Sequence, residues 1–323
     1  MVKRGALDIA LGPGVEFELI ERLAEEWGPR AQGLGDDAAV IPIAPGMNII
    51  VSIDTSVEGV HFTREWLSTE EIGYRSTMAA LSDLAAMGAE PLGVLIALVI
   101  PRSSLDDRAL GKGIGEAVAE VGARVLGGDL SRGRDLSICV TAIGSAAEPL
   151  SRSGAQPGDL IYLTGRLGAP AAALASLRAG RKPSAALRAR FARPHARIAE
   201  AQWLAQRGAH AAIDVSDGLA GDLTHMAVAS AVSIDVEASQ VPRFEGVSLH
   251  DALASGEEYE LVVAVAGKVD ENEFKARFGT ELTQIGRVGG DSATAGSSKR
   301  GIVNFRDRGK RVDPPPGYDH FSR

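Results

Sequence analysis

Residues 79–91 read AALSDLAAMGAEP, a helical run of alanine, leucine and methionine interrupted by one carboxylate, Asp83. Aspartate is a poor interior helix former because its short side chain competes for backbone hydrogen bonds. Its neighbours at three and four residues, Ala79, Ala80, Ala86 and Met87, form a smooth face that allows close packing and offers no counter-ion. Ser68 and Glu71 are spaced as a capping box at the start of this helix, and Gly88 and Pro91 end it. The helix is well specified, and the acid within it needs a reason.

Other acids share the oddity. Asp36 and Asp37 lie in GDDAAV, Asp54 in SIDTSVEG, Asp129 in GGDLS, and Asp214 and Asp217 in DVSDG, all at strand ends or glycine turns. Singly they have ordinary explanations. Asp36 suits a turn, and Asp214 or Ser216 suits the cap of a helix beginning near Gly218. Gathered together they would repel, since two unit charges at 4 Å cost about 4 kcal/mol at an effective dielectric of 20. Divalent cations would offset this, and oxygen donors without paired His or Cys favour Mg²⁺ or Mn²⁺ over zinc. Ions bridging phosphoryl oxygens are the natural use of such a set. The usual nucleotide signatures are missing: GKGIGE at 111–116 lacks P-loop spacing, and no GxGxxG stands at a strand-to-helix turn.

The remainder of the chain bounds the fold. Its 323 residues exceed one comfortable core, so two domains of roughly 150 residues are expected. The strands and helices of the first half come in mixed order, an α+β arrangement rather than a strict βαβ repeat. Turn residues in SRSGAQPGD place a boundary near 148, giving domains 1–148 and 149–323. A helix is expected over 16–27, strands over GVLIALVIP and LSICVTAIGSA, and a helical stretch over 168–208 with one break at GRKPS. Residues 291–300 read as a loop. The formal charge of −8 without a Lys/Arg-rich block argues against nucleic acid or an anionic membrane as partner. There is no signal-peptide pattern or long uncharged apolar run, so a cytoplasmic protein is expected. Cys139, the single cysteine, sits in a strand and reads as a packed small hydrophobe.

The ordered series GDDAAV, DTSVEGVHF, LSDLAAMGAEP, GGD, SRSGAQPGD, DVSDGLAGDLTHMA, SGEEYELV and GYDHF resembles the thiamine-monophosphate kinase family. That family belongs with aminoimidazole ribonucleotide synthetase, selenophosphate synthetase and the hydrogenase maturation factor that dehydrates a carbamoyl group. The resemblance implies a two-domain α+β fold like that of aminoimidazole ribonucleotide synthetase. Its N-terminal mixed sheet would form a β-barrel across a homodimer, and its C-terminal domain an α/β sandwich. It implies ATP-dependent phosphorylation of thiamine monophosphate to thiamine diphosphate, with several Mg²⁺ ions and ATP as co-substrate. Carried over by resemblance, Asp36, Ser52, Asp54, Asp83, Asp129, Asp214 and Asp217 would ligate Mg²⁺, and Gly128, Asp129, Arg152 and Ser216 would serve the nucleotide. His61, Glu257 and Tyr318 would contact thiamine monophosphate.

Each of these also has a plain alternative: a surface ion pair for Arg152, a packed ring for His61 or Tyr318, a solvated acid for Glu257. No general base is implied, because the acceptor is an ionised phosphate monoester. The chain departs from the family pattern at Ile53, Leu130, Ser255 and Glu258. The competing readings are a ligase like aminoimidazole ribonucleotide synthetase and a catalytically silent nucleotide- or metal-binding homologue.

Overall fold

The computed structural model describes residues 39–101, 105–291, 301–314 and 316–318. The expected helix at 16–27 and all but the first residue of the expected loop at 291–300 lie outside the described residues, as does Asp36.

The first half is a five-stranded sheet. Strand β1 (Ala39–Ala44) turns at Gly46, which has φ +79°, into β2 (Met47–Val57). Strands β3 (Glu90–Pro101), β4 (Val125–Gly133) and β5 (Ser137–Ala146) complete the order β1-β2-β5-β3-β4. All pairs are antiparallel except β3 with β4, which are joined through helix α2 (Asp107–Glu120). Strand alternation sorts side chains between faces. Ile50, Ile138, Val140 and Ala142 are fully buried, whereas Ile53 is 66% and Leu130 71% exposed.

Helix α1 (Thr69–Ala86) lies on the buried side and carries Asp83. Its capping box is formed as expected: the Ser68 hydroxyl accepts from the Glu71 N–H, and the Glu71 carboxylate accepts from the Ser68 N–H. Nearly every residue after the first turn is buried, because α1 touches β2, β5 and α2 of its own half as well as elements of the second. A helix that is apolar all round is one that is covered all round. It crosses α2 backbone to backbone: a Cβ on Gly113 would stand 1.9 Å from the Glu70 carbonyl oxygen.

The second half is built on a seven-stranded sheet of order β12-β11-β8-β10-β6-β9-β7. Its strands are β6 (Leu160–Thr164), β7 (Ala209–Asp214), β8 (Val232–Glu237), β9 (Leu261–Val265), β10 (Leu282–Asp291), β11 (Ile302–Asp307) and β12 (Lys310–Val312). Every residue of β6 and β9 is buried, which requires cover on both faces. Leu160 and Tyr162 point into a cluster with Trp203 and Phe274, and this cluster runs on into the first half through Val140 and Ile50. Ile161 and Leu163 point into a second cluster with Leu219, Leu223 and Met226.

The helical stretch expected from 168 to 208 breaks twice rather than once. It forms α3 (Ala169–Arg178), α4 (Ala185–Ala192) and α5 (Ile198–Ala205). The second break follows from Pro194, which pushes the preceding Arg193 into an extended conformation at φ −132°, ψ 75°. Helices α6 (Leu219–Ser230), α7 (Leu249–Ala254) and α8 (Glu271–Phe278) complete the fold. Among the described residues no closed barrel forms; the five-stranded sheet stays open. None of the described helices is long and apolar enough to cross a membrane.

Candidate active site between the two halves

The α1 residues Ile72, Arg75, Ser76, Ala79 and Asp83 repeat at helical spacing and so share one face, which lines a cleft of about 710 Å³ between the halves. Asp83 thus has its reason: it opens onto the cleft from an otherwise packed helix. Two neighbouring α1 residues bind acceptors or donors in opposite halves. The Ser52 hydroxyl of β2 donates to the Asp83 carboxylate. The Ser82 hydroxyl donates to Oδ2 of Asp214 at 2.6 Å, with both side chains buried.

Asp214 ends β7, and a turn through Ser216 and Asp217 leads into α6. The first residue before that helix is Gly218 at φ +112°, with no side-chain cap. Neither Asp214 nor Ser216 therefore serves as a helix cap. The Asp217 N–H instead donates to Asp222 Oδ2 at 3.3 Å, and the Asp217 carbonyl accepts from the Tyr318 N–H at 2.9 Å.

Residues 255–260 face this turn. Glu257 and Tyr259 are both in the left-handed region, at φ 57° and 52°, which costs non-glycine residues about 1–2 kcal/mol each. Hydrogen bonds hold them there. The Ser216 carbonyl accepts from the Glu257 N–H at 2.7 Å, and the Val215 carbonyl accepts from Glu258 and Tyr259 at 3.1 and 2.9 Å. The two odd members, Glu257 and Tyr259, line the cleft, whereas Glu258 and Glu260 are buried behind it. Glu260 accepts from Thr164, from Arg190 at 2.5 Å and from Arg197 at 2.6 and 2.8 Å. Burial would raise its carboxyl, but the Arg197 and Arg190 charges hold it low. Glu258 has no such match. Burial pushes it up to about 8 despite bonds from Ser255 and the Gly168 N–H. Burial, and then the charge of Glu257, keep the Tyr259 phenol protonated; Asp54 and Asp214 act in the same direction.

The structure brings Asp54, His61, Asp83, Asp214, Ser216, Asp217, Glu257 and Tyr318 to this one cleft, with Ser52 one hydrogen bond behind. The Val57 N–H donates to His61 Nδ1 at 3.1 Å, which leaves the neutral ring's proton on Nε2. Gly128 and Asp129 are elsewhere. They lie on β4, exposed, and Gly128 is in register with Asp54 through Val140 and Ile96, three strand spacings or about 14 Å away. Arg152 sits beside α6, its carbonyl accepting from Ser230 Oγ at 2.8 Å, outside the cleft lining. Burial and then the Arg152 charge push His225 down to about 4, so its imidazole is neutral. Among the described residues no three His, Cys, Asp or Glu side chains are grouped closely enough to enclose an ion. Sequence reasoning missed Arg75 and Tyr259. The spacing of Arg75, Ala79 and Asp83 was a usable signal for the first; nothing in the sequence marked the second.

Models of AIR synthase related protein match the chain in two parts, the N-terminal domain over residues 35–146 and the C-terminal domain over 156–298. Thiamine-monophosphate kinase of Methanopyrus kandleri is 34% identical over 313 residues, covering 92% of this chain and 95% of that protein. The chain belongs to the thiamine-monophosphate kinase family. The Bacillus subtilis thiamine-monophosphate kinase is 32% identical over 328 residues, covering 95% of this chain and 99% of that protein. The solved structure of AaThiL complexed with AMPPCP and TMP superposes with a TM-score of 0.80 at 29% identity, covering 95% and 97% of the two chains.

Within this thiamine-monophosphate kinase family frame, the four departures occupy two places. Ile53 and Leu130 stand on exposed strand positions. Ser255 and Glu258 stand behind the cleft loop, at 1% and 0% exposure, where Ser255 Oγ accepts from the Ala171 N–H at 3.3 Å.

Proposed function

We propose that this chain transfers the γ-phosphoryl group of ATP directly to thiamine monophosphate, giving thiamine diphosphate and ADP. The observation that carries this reading is the delivery of Asp54 and Asp83 from one half and Asp214 and Asp217 from the other to a single cleft. Its volume is within the usual range for ligand sites, roughly 300–1,000 Å³.

The oxygen-only donor set suits Mg²⁺, which keeps several waters and binds substrate phosphates, so it does not need a closed protein cage. Asp54, Asp83, Asp214 and Asp217, with Ser52, would hold it; Asp36 and Asp129 are further ligands on the family resemblance alone, Asp129 lying on β4 outside this cleft. Mg²⁺ bound there neutralises charge on phosphoryl oxygens. The chain's own groups do the rest. His61 offers an Nε2–H and Tyr259 a permanently protonated hydroxyl, both donors suited to phosphate oxygens. Glu257 answers the thiazolium cation, and the Tyr318 ring offers a flat, half-exposed face for the heterocycle. On the family resemblance Gly128, Asp129, Arg152 and Ser216 would serve the nucleotide, of which Ser216 lines this cleft. No base is required, because the acceptor phosphate is already ionised and positioning supplies the advantage.

The working unit is a homodimer. Ile53 and Leu95, which share one row across β2, β5 and β3, leave the open five-stranded sheet with an apolar exposed face, the kind of patch that a second sheet covers, closing a barrel across two copies. The division near 148 separates the two halves, and the cytoplasm, where ATP is available, is the proposed compartment.

The test is incubation of the purified protein with ATP, Mg²⁺ and thiamine monophosphate. Equimolar thiamine diphosphate and ADP are expected. Turnover only with an amidine precursor would mean a ligase, and binding without turnover a silent homologue.

A further inference from the structure

The buried guanidinium of Arg75 has no part in the reaction as described, yet it joins three features of the cleft. It is 4% exposed, in the middle of α1. Its Nη2 is 2.5 Å from Glu257 Oε2, its Nη1 donates to the Phe191 carbonyl, and its plane lies 4.8 Å from the Phe191 ring centre. We propose that Arg75 is a positioning residue that fixes the Glu257 carboxylate and thereby sets affinity for the phosphorylated, cationic acceptor. The inference rests on the reading of Glu257 as an acceptor contact.

The Phe191 carbonyl on Nη1 and the Phe191 ring beneath the guanidinium fix its plane, and Nη2 meets Glu257 as a close ion pair rather than an aligned hydrogen bond, so the arginine sets the place and direction of the opposing charge. Glu257 needs that direction. Its side chain is about a third exposed and springs from a left-handed residue. An ordinary exposed ion pair contributes little because both partners must be ordered. Here the arginine is ordered beforehand by burial.

The backbone beneath Glu257 is held from the same source. Arg190 Nη2 donates to the Glu258 carbonyl at 2.6 Å, and Arg190 is the chain neighbour of Phe191 on α4. Helix α4 therefore fixes the loop through one residue and Arg75 through the next. Arg75 comes from the first half of the chain and Glu257 from the second, so the acceptor carboxylate is aimed only when the halves are joined. The pairing also offsets the charge of Glu257. An acid balanced in this way attracts cations weakly at a distance and discriminates by fit.

The experiment compares the wild type with Arg75→Met, Arg75→Lys, Glu257→Gln and the Arg75→Met/Glu257→Gln double variant. It measures steady-state kinetics in both substrates, calorimetric titration with thiamine monophosphate, and thermal unfolding. Arg75→Met is expected to raise KM and Kd for thiamine monophosphate roughly tenfold or more, the scale of a lost charge-assisted contact, with KM for ATP nearly unchanged. Arg75→Lys keeps the charge without the fork and is expected to fall between. In the Glu257→Gln background, Arg75→Met should add at most about twofold, because the two residues act as one unit.

A purely structural clasp would instead multiply its full factor onto Glu257→Gln, or would raise both KM values in parallel, and either result overturns the proposal. If Arg75→Met does not fold, the same coupling measured with Arg75→Lys decides. Normal turnover in every Arg75 variant refutes the role of Arg75 alone. A wild type that neither binds nor phosphorylates thiamine monophosphate refutes the proposed function, and this inference with it.

Discussion

Replacing Gly113 by alanine puts the packing of α1 to a sharp test, because a second glycine on the same helix predicts the opposite result. A Cβ at Gly113 would stand 1.9 Å from the Glu70 carbonyl oxygen and 2.9 Å from the Tyr74 N. Real Cβ atoms essentially never approach within 3.0 Å, so the two helices must separate by about 1 Å at their crossing. The obstacle is backbone, which cannot rotate away. Overpacking of this kind costs about 1–3 kcal/mol, and the better helix propensity of alanine recovers up to about 1 kcal/mol. We expect a net loss of about 1–2 kcal/mol, read as a lower urea midpoint with an unchanged slope. Because α1 carries Arg75, Ser76, Ala79, Ser82 and Asp83, turnover should fall with the displacement even at temperatures where the protein stays folded. Gly115, two residues on, is exposed and a Cβ there meets nothing within 4 Å. Gly115→Ala should therefore stabilise by about 0.5–1 kcal/mol and leave turnover alone. Equal effects at the two sites, or a stable and fully active Gly113→Ala protein, would refute the close crossing and the role assigned to α1.

Other outcomes follow from the site and its supports. Asp83→Asn is expected to weaken the dependence of rate on Mg²⁺ concentration and to lower kcat by about a hundredfold or more, the scale of a lost electrostatic group; unchanged metal dependence would remove Asp83 from the site. Arg197→Met removes two charged hydrogen bonds from buried Glu260 while Arg190 still pairs with it, and should cost about 1.5–3 kcal/mol in urea unfolding. Glu258 titrates near 8 in the fold against about 4.5 outside it, so the unfolded chain binds fewer protons between those values and stability falls as pH rises through that window. Glu258→Gln, a mimic of the neutral acid, should flatten that decline and be more stable than the wild type at pH 8; equal urea midpoints there would count against a protonated Glu258.

How much of this was legible beforehand depended on whether the cause was local. The capping box at Ser68 and Glu71 is set by neighbouring residues, and so was readable, as were the strands feeding Asp54 and Asp214 and the misfit of Asp83 in an apolar helix. The second break in the helical stretch was local too: Pro194 was there to be read. What could not be read was long-range. Arg75 and Glu257 are far apart in sequence, and only the docking of the halves makes them a pair. Glu258 and Glu260 look like solvated acids in SGEEYE, yet the left-handed Glu257 and Tyr259 that alternate with them turn them inward onto Gly168 and Arg190. The register that carries Gly128 and Asp129 three strands away from Asp54 depends on the β2-β5-β3-β4 order, which no spacing in the chain announces.

That α1 rather than a loop presents Asp83 has a consequence for how the site forms. Ser82 and Asp83 are adjacent on a rigid element, and they bind Asp214 of the second sheet and Ser52 of the first. A third contact, Arg75 to Glu257, crosses the same boundary nearly two helical turns earlier. Two polar links from one buried helix, Ser82 to Asp214 and Arg75 to Glu257, tie the halves together while Ser52 anchors that helix to its own sheet, whereas apolar packing alone would tolerate sliding. Helix α1, covered on every side, does not have that freedom. Asp83 and Asp214 are therefore held at the cleft, and the energy that keeps them there comes from the surrounding apolar core.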